Sequence, residues 1–350
     1  MQTEQQKNNR AVATWLLIGV GMIVVQVLLG GITRLTESGL SITEWKPVTG
    51  TLPPMNEAAW MAEFEKYRLT DQFKYVHQNF SLRDFKFIFF WEWFHRVWAR
   101  LMGLVFLVGF IYFLVKKKFS REMIRPMIIL FILGALQGAI GWIMVQSGLV
   151  PEKYFVGHVE LTTHFIAALG LLCYTLWFVL GLLVRDSGMV KHTGLKNLLT
   201  IIGLILIIQL IYGGFMAGLR AAPVAASWPD INGKIIPDSL TELSPFSRNL
   251  DSNPIMVHFI HRGLAYLLFI LILVWWFRSG GIKNNRFYSF LRISFIALVF
   301  LQVTLGILTV LNATQSNCLV VLGVSHQFTA MLITMVWLSL IFVVRRKPAR

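Results

Sequence analysis

The sequence predicts an all-α integral membrane protein. Its eight transmembrane helices form two pseudo-symmetric four-helix bundles, with the N- and C-termini cytoplasmic. Three observations predict this. First, 56% of the 350 residues are hydrophobic and only 14% are charged, well outside the soluble globular range. Second, apolar runs long enough to span a bilayer, ~20 residues, recur eight times. Third, a set of landmark residues repeats in the same order in the two halves. A β-barrel is excluded because its strands alternate apolar and polar residues over ~10 positions.

The spans fall at about 12–33, 88–115, 124–145, 156–184, 197–218, 255–277, 288–311 and 319–344. The first lacks a small-residue cleavage site followed by a soluble domain, so it reads as a retained helix rather than a signal peptide. Loop charge orients the spans. The N-terminal tail, the loops 116–125, 185–196 and 278–286, and the C-terminal tail carry 17 Lys/Arg and three acids, Glu4, Glu122 and Asp186. The 34–86 loop on the opposite side carries seven of each sign. This is the positive-inside pattern. It accounts for the net charge of +15 through topology and lipid headgroups, so no nucleic-acid partner is expected.

The 34–87 loop is long, and loops of that length are usually functional or form a small cap. Trp60, Phe64 and Tyr67 recur at helical spacing after Pro53-Pro54, so short helices are expected on the outer surface. Cys173 and Cys318 are far apart and receive no role. There is no CxxC or CxxCH, which argues against covalent haem attachment.

The repeat defines two units, 1–190 and 191–350. Gln26-Val-Leu-Leu-Gly-Gly is echoed by Gln209-Leu-Ile-Tyr-Gly-Gly, and His95-Arg96 by His261-Arg262. Gln137-Gly-Ala-Ile-Gly is echoed by Gln302-Val-Thr-Leu-Gly, and His164 by His326. An even number of spans per unit makes this a parallel duplication about an axis along the membrane normal.

His95, His164, His261 and His326 lie six to eight residues inside four spans that run from outside to inside. At ~1.5 Å per residue that is roughly 9–12 Å below one face. An ionisable residue in hydrocarbon normally marks a function. Any one of these could simply hydrogen-bond between helices; four at one depth in a duplicated frame suggest iron ligands. Histidine is a normal axial ligand of haem, and a four-helix core can hold one. The expected pairs are His95 with His164 and His261 with His326. Arg96, Arg262 and the deeper Arg100 suit haem propionates. Glu92 lies three residues before His95, where the second half has His258 before His261. Residues three apart share a helix face, and a carboxylate there can move protons. Chemistry is therefore expected in the first half and electron carriage in the second. His158 reads as a boundary residue, Glu160 as a weaker acid/base candidate, and His77 and His192 as solvated loop residues.

The run Gly30 to Ser41, then Glu44-Trp45-Lys46-Pro47, Gly50, Pro53-Pro54, Trp60, Glu63-Phe64, Tyr67 and Phe85-Lys86, resembles the first outer loop of the haem A synthase family. Trp91-Glu92-Trp93-Phe94-His95-Arg96, Asn253-Pro254 with His261-Arg262, and His326-Gln327 also resemble that family. The form is similar to its proteobacterial and mitochondrial class, because the outer-loop cysteine pair of some other bacterial members is absent. The resemblance implies an oxidoreductase of the cell (inner) membrane that oxidises the C8 methyl group of haem O to a formyl group, making haem A for terminal oxidases. It implies haem b on His261 and His326, and substrate haem at His95 and His164 with Glu92, near the periplasmic side. An electron donor such as a ferredoxin, haem O synthase and terminal oxidase assembly factors are the implied partners. The residues alone leave two alternatives, a dihaem b-type electron-transfer protein and a haem carrier.

Overall fold

The computed structural model describes residues 3–44, 49–185, 188–282 and 285–345. Twelve α-helices lie among them: α1 (Glu4–Leu35), α2 (Glu57–Arg68), α3 (Asp71–Tyr75), α4 (Leu82–Val115), α5 (Arg121–Gly148), α6 (His158–Leu183), α7 (Thr193–Gly218), α8 (Ala221–Val224), α9 (Asn249–Ser252), α10 (Pro254–Arg278), α11 (Arg286–Leu311) and α12 (Ser316–Val343). Eight of them (α1, α4, α5, α6, α7, α10, α11 and α12) are long and apolar enough to cross a membrane. Helices suit that setting because they satisfy their own backbone polar groups.

Helix α4 begins six residues before the expected span. Ser81 and Asp84 form a capping box, with Ser81 N donating to Asp84 Oδ2 at 2.9 Å. Such a box fixes a helix start regardless of hydropathy. As a result His95 lies thirteen residues into α4, whereas His164 lies six residues into α6. Distance from the helix start is therefore not a shared measure of depth for these histidines.

Helix α1 packs on α4 and α6, and α5 on α6; α7 packs on α10 and α12, and α11 on α12 and α10. Contacts α6–α7, α1–α12 and α6–α12 join these groups. The largest core includes Leu172, Leu199, Ile202, Trp275, Phe295 and Leu340. Helices α6 and α7 approach closely where Thr162 meets Gly214 and His158 meets Gly218. A side chain at either glycine would force them apart, as at other small-residue membrane contacts.

One end of the array gathers the N-terminal part of α1, the 116–120 turn, the 188–192 segment and the end of α12. Val12 and Leu16 pack with Phe113 and Met123 there. Val190–Lys191 (β1) pairs in parallel with Val344–Arg345 (β2), and Asn285 Nδ2 donates to the Gly188 carbonyl at 2.8 Å.

At the other end, the expected surface helices exist as α2 and α3. Phe64, Tyr67, Phe85, Ile88 and Phe89 form their core against the top of α4. His77 is 6% exposed, which corrects the expectation of a solvated residue. Its Nδ1 contacts Tyr67 Oη at 2.6 Å, its Nε2 contacts Glu37 Oε2 at 3.0 Å, and its ring stacks on Phe80. His192 is exposed, and its Nδ1 accepts from Leu195 N at the start of α7. Glu37 also pairs with Arg220, and Arg34 donates to the carbonyl of Ala217 at the end of α7. Burial opposes ionisation of Glu37, but the hydrogen bond from His77 and the charges of Arg220 and Arg34 outweigh it and hold the carboxyl below its ordinary range.

Candidate functional site

Each of the four histidines packs against a glutamine and a glycine on a neighbouring long helix. His95 on α4 meets Gln26 of α1, whose Nε2 lies 3.3 Å from Nδ1 and 3.1 Å from Nε2 of the ring. His164 on α6 meets Gln137 of α5, with 3.2 Å to Nδ1. His261 on α10 meets Gln209 of α7, with 3.4 Å to Nε2. His326 on α12 meets Gln302 of α11, with 3.2 Å to Nε2. The rings of His261 and His326 face each other with centroids 6.5 Å apart and planes at 68°. All four residues are half-buried.

Glu92 is 3% exposed and held by three donors. Ser41 Oγ donates to Oε2 at 2.7 Å, Ile42 N donates to the same oxygen at 2.8 Å, and Arg96 Nη2 donates to Oε1 at 2.5 Å. Arg96 also donates to the Ile42 carbonyl at 3.2 Å. One turn before His95, α4 thus holds the 41–42 segment by hydrogen bonds to its own Glu92–Arg96 ion pair. His258, at the matching position on α10, is 1% exposed, and neither of its ring nitrogens has a partner. The asymmetry read from the sequence is thus a difference in environment as well as in residue type.

The arginines expected to meet propionates have other partners in the fold. Arg262 donates to the carbonyls of Asp230 and Ser227 at 2.7 Å each and of Ala225 at 3.4 Å. It pins the second outer loop to α10, as Arg96 pins the first to α4. Arg100 lies one turn deeper than Arg96 on α4. His158 is the first residue of α6, at the boundary where it was expected, and it packs on Gly218 and Phe215 of α7. Glu160 occupies the first turn of α6, close to Gly157. Cys173 and Cys318 are free thiols. The stretch from Trp45 to Pro47 lies outside the described residues. An apolar groove of about 420 Å³ between α6, α11 and α12, lined by Leu176, Phe290, Leu332 and Met335, contains none of these site residues.

Sequence reasoning used the four glutamines as repeat landmarks but missed them as histidine partners. The available signal was the recurrence of Gln-x-x-x-Gly in four of the long helices, one for each histidine helix.

Fold and site together define a multi-pass helical membrane protein in which four histidines each meet a glutamine and a glycine of a neighbouring long helix. The chain matches the family model described as cytochrome oxidase assembly protein (COX15-CtaA) over residues 13–338. Proteins named Heme A synthase are similar to it along nearly their whole length. That of Flavobacterium johnsoniae is 40% identical over 329 residues, 93% of this chain and 95% of the relative. That of Flavobacterium psychrophilum is 41% identical over 93% of this chain and 96% of its own. That of Rhodospirillum centenum is 41% identical over 94% of this chain and 87% of its own. The chain belongs to the haem A synthase family.

Proposed function

We propose that this protein makes haem A by oxidising the C8 methyl group of haem O to a formyl group. The four helices of residues 1–190 take the substrate at His95 and His164. Those of residues 191–350 hold haem b between His261 and His326. The observation that carries this reading is the separation of the second histidine pair. A metal–nitrogen bond of about 2.0 Å and about 1.1 Å from nitrogen to ring centre would place the centres of two imidazoles that share one metal about 6.2 Å apart. The centroids of His261 and His326 are 6.5 Å apart. The donors come in twos, which suits iron whose other four ligands belong to a porphyrin. Bound there, haem b supplies one-electron transfer.

The first half differs in the carboxylate beside its histidine. Two hydroxylations would convert the methyl group, each as R–H + O2 + 2 H+ + 2 e− → R–OH + H2O with dioxygen as oxidant and the electrons from the external donor, and the geminal diol would lose water to give the aldehyde. Glu92, adjacent to His95 and hydrogen-bonded to Ser41 of the loop, would deliver the protons these steps consume. Arg96 holds that carboxylate in place, and Arg100 and Arg262 favour propionates on the same side. The excess of Lys and Arg in the loops 116–125, 185–196 and 278–286 and in the two tails supports a cytoplasmic assignment for that side, with the histidines toward the periplasmic side of the cell membrane. A ferredoxin-type donor and haem O synthase are the partners this chemistry asks for.

Expression in a strain that accumulates haem O, followed by extraction and mass analysis of the haems, tests the reading. Haem A should appear with the native chain and vanish with His95→Ala. His261→Ala should also remove the resident b-type absorption. Haem O left unaltered by the native chain would refute the assignment in favour of a carrier.

A further inference from the structure

The four Gln-x-x-x-Gly segments are one device used four times. They are Gln26 with Gly30 on α1, Gln137 with Gly141 on α5, Gln209 with Gly213 on α7, and Gln302 with Gly306 on α11. In every case the ring atom nearest the glycine is Cε1 of the facing histidine. A methyl group at the glycine would come within 3.3 Å of it for His95, 2.7 Å for His164, 3.5 Å for His261 and 2.9 Å for His326. Cε1 sits between the two ring nitrogens, so an amide at that edge reaches whichever nitrogen is turned toward it. This is what the contacts show: Nδ1 for His164, Nε2 for His261 and His326, and both for His95.

The hydrogen-bond inventory around these contacts is unbalanced. The Oε1 atoms of Gln26, Gln137, Gln209 and Gln302 are all buried without a partner, and so are the Nδ1 atoms of His261 and His326. Buried polar groups are rarely left this way. An amide oxygen is an acceptor, and the Nδ1–H of an imidazole that uses Nε2 elsewhere is a donor. The terminal torsion of glutamine is roughly two-fold. A half-turn of each amide, with a small turn of the ring over the glycine, would pair the orphaned oxygen with Nδ1.

We propose that the four glutamines are positioning residues for the iron-ligating imidazoles, each accepting the Nδ1–H so that Nε2 is presented to the iron. The glycines give Cε1 the clearance this ring orientation needs. The proposal rests on the reading that these histidines ligate haem. A partner on the distal nitrogen of a ligating histidine fixes its tautomer and raises its basicity. A neutral amide sets that basicity between no partner and a carboxylate.

The test uses the full-length protein purified with its haem and spectroelectrochemical titration of the b-type signal. Gln209→Leu removes the acceptor and should raise the reduction potential, because a less basic imidazole stabilises ferric iron less. Gln209→Glu strengthens the acceptor and should lower it. A tenfold change in the oxidised-to-reduced ratio at fixed potential corresponds to about 59 mV for a one-electron couple. Opposite signs for the two variants, with haem retained, are the expected result. Unchanged potentials, or shifts of the same sign, would overturn the proposal while leaving haem ligation intact. If the leucine variant fails to accumulate, the glutamate variant alone decides by its sign. Native protein that carries no haem and takes up none when haem b is added would instead overturn the ligation reading itself, and the proposal with it.

Discussion

Glu92→Gln removes one negative charge from a carboxylate that three donors surround, and its effect can be worked out in advance. The amide oxygen can still accept from Ser41 and Ile42, but the amide nitrogen meets Arg96 donor to donor. Breaking a buried ion pair by removing one partner costs about 3–5 kcal/mol. Arg96 keeps the Ile42 carbonyl, and its side chain is 16% exposed, which places the cost near the lower end, about 3 kcal/mol. At about 1.36 kcal/mol per tenfold change, opening of the first outer loop around residues 38–42 should become about a hundredfold more frequent. Hydrogen exchange read at the Ile42 amide reports it directly, because that N–H donates to Glu92. Haem A output should fall in the same variant. If exchange at Ile42 stays within about threefold of the native rate, the carboxylate is not what docks the loop, and the energetic argument fails.

Three other outcomes are expected. Gly306→Ala should weaken haem retention, since the new methyl would sit 2.9 Å from His326 Cε1, whereas Gly213→Ala, at 3.5 Å from His261 Cε1, should leave haem content near native; equal losses in both, measured by pyridine haemochrome, would count against it. The Glu37 carboxyl is held below its ordinary range by His77, Arg220 and Arg34 against the pull of burial. Its contribution is therefore complete above the unfolded carboxylate pKa and is lost as pH falls through the lower folded value. Protease sensitivity of the outer loops should rise over that acid window, and Glu37→Gln should be sensitive already at neutral pH. Arg262→Ala removes charge-assisted bonds to three loop carbonyls, each worth about 1.5–3 kcal/mol, and should expose the 225–230 segment to limited proteolysis while leaving α10 helical by circular dichroism.

The eight spans were readable because hydrocarbon imposes strong, local rules on a sequence. The extra turns of α4 were not, since Leu82 to Phe87 mix charge with aromatics and read as loop by hydropathy; only the Ser81–Asp84 pair marks the helix start. His77 misled for the opposite reason. A histidine between two polar stretches looks solvated until Tyr67, Phe80 and Glu37 converge on it from three segments, and no spacing rule encodes that convergence. The partners of Arg96 and Arg262 were hidden likewise, because backbone carbonyls of a folded loop leave no trace in side-chain identity. The asymmetry of Glu92 and His258 was visible as residue type; the three donors around one and none around the other became visible only in three dimensions.

The short parallel pairing of Val190–Lys191 with Val344–Arg345 fastens the finish of α12 to the approach of α7. The last four long helices thus begin and end at one clasp. Cutting the polypeptide between α6 and α7 would leave that quartet with its own ends already joined and the first quartet with both ends on the same face. Two separately encoded fragments, made together, should reassemble in the bilayer along the seam where α6 meets Gly214 and Gly218 of α7.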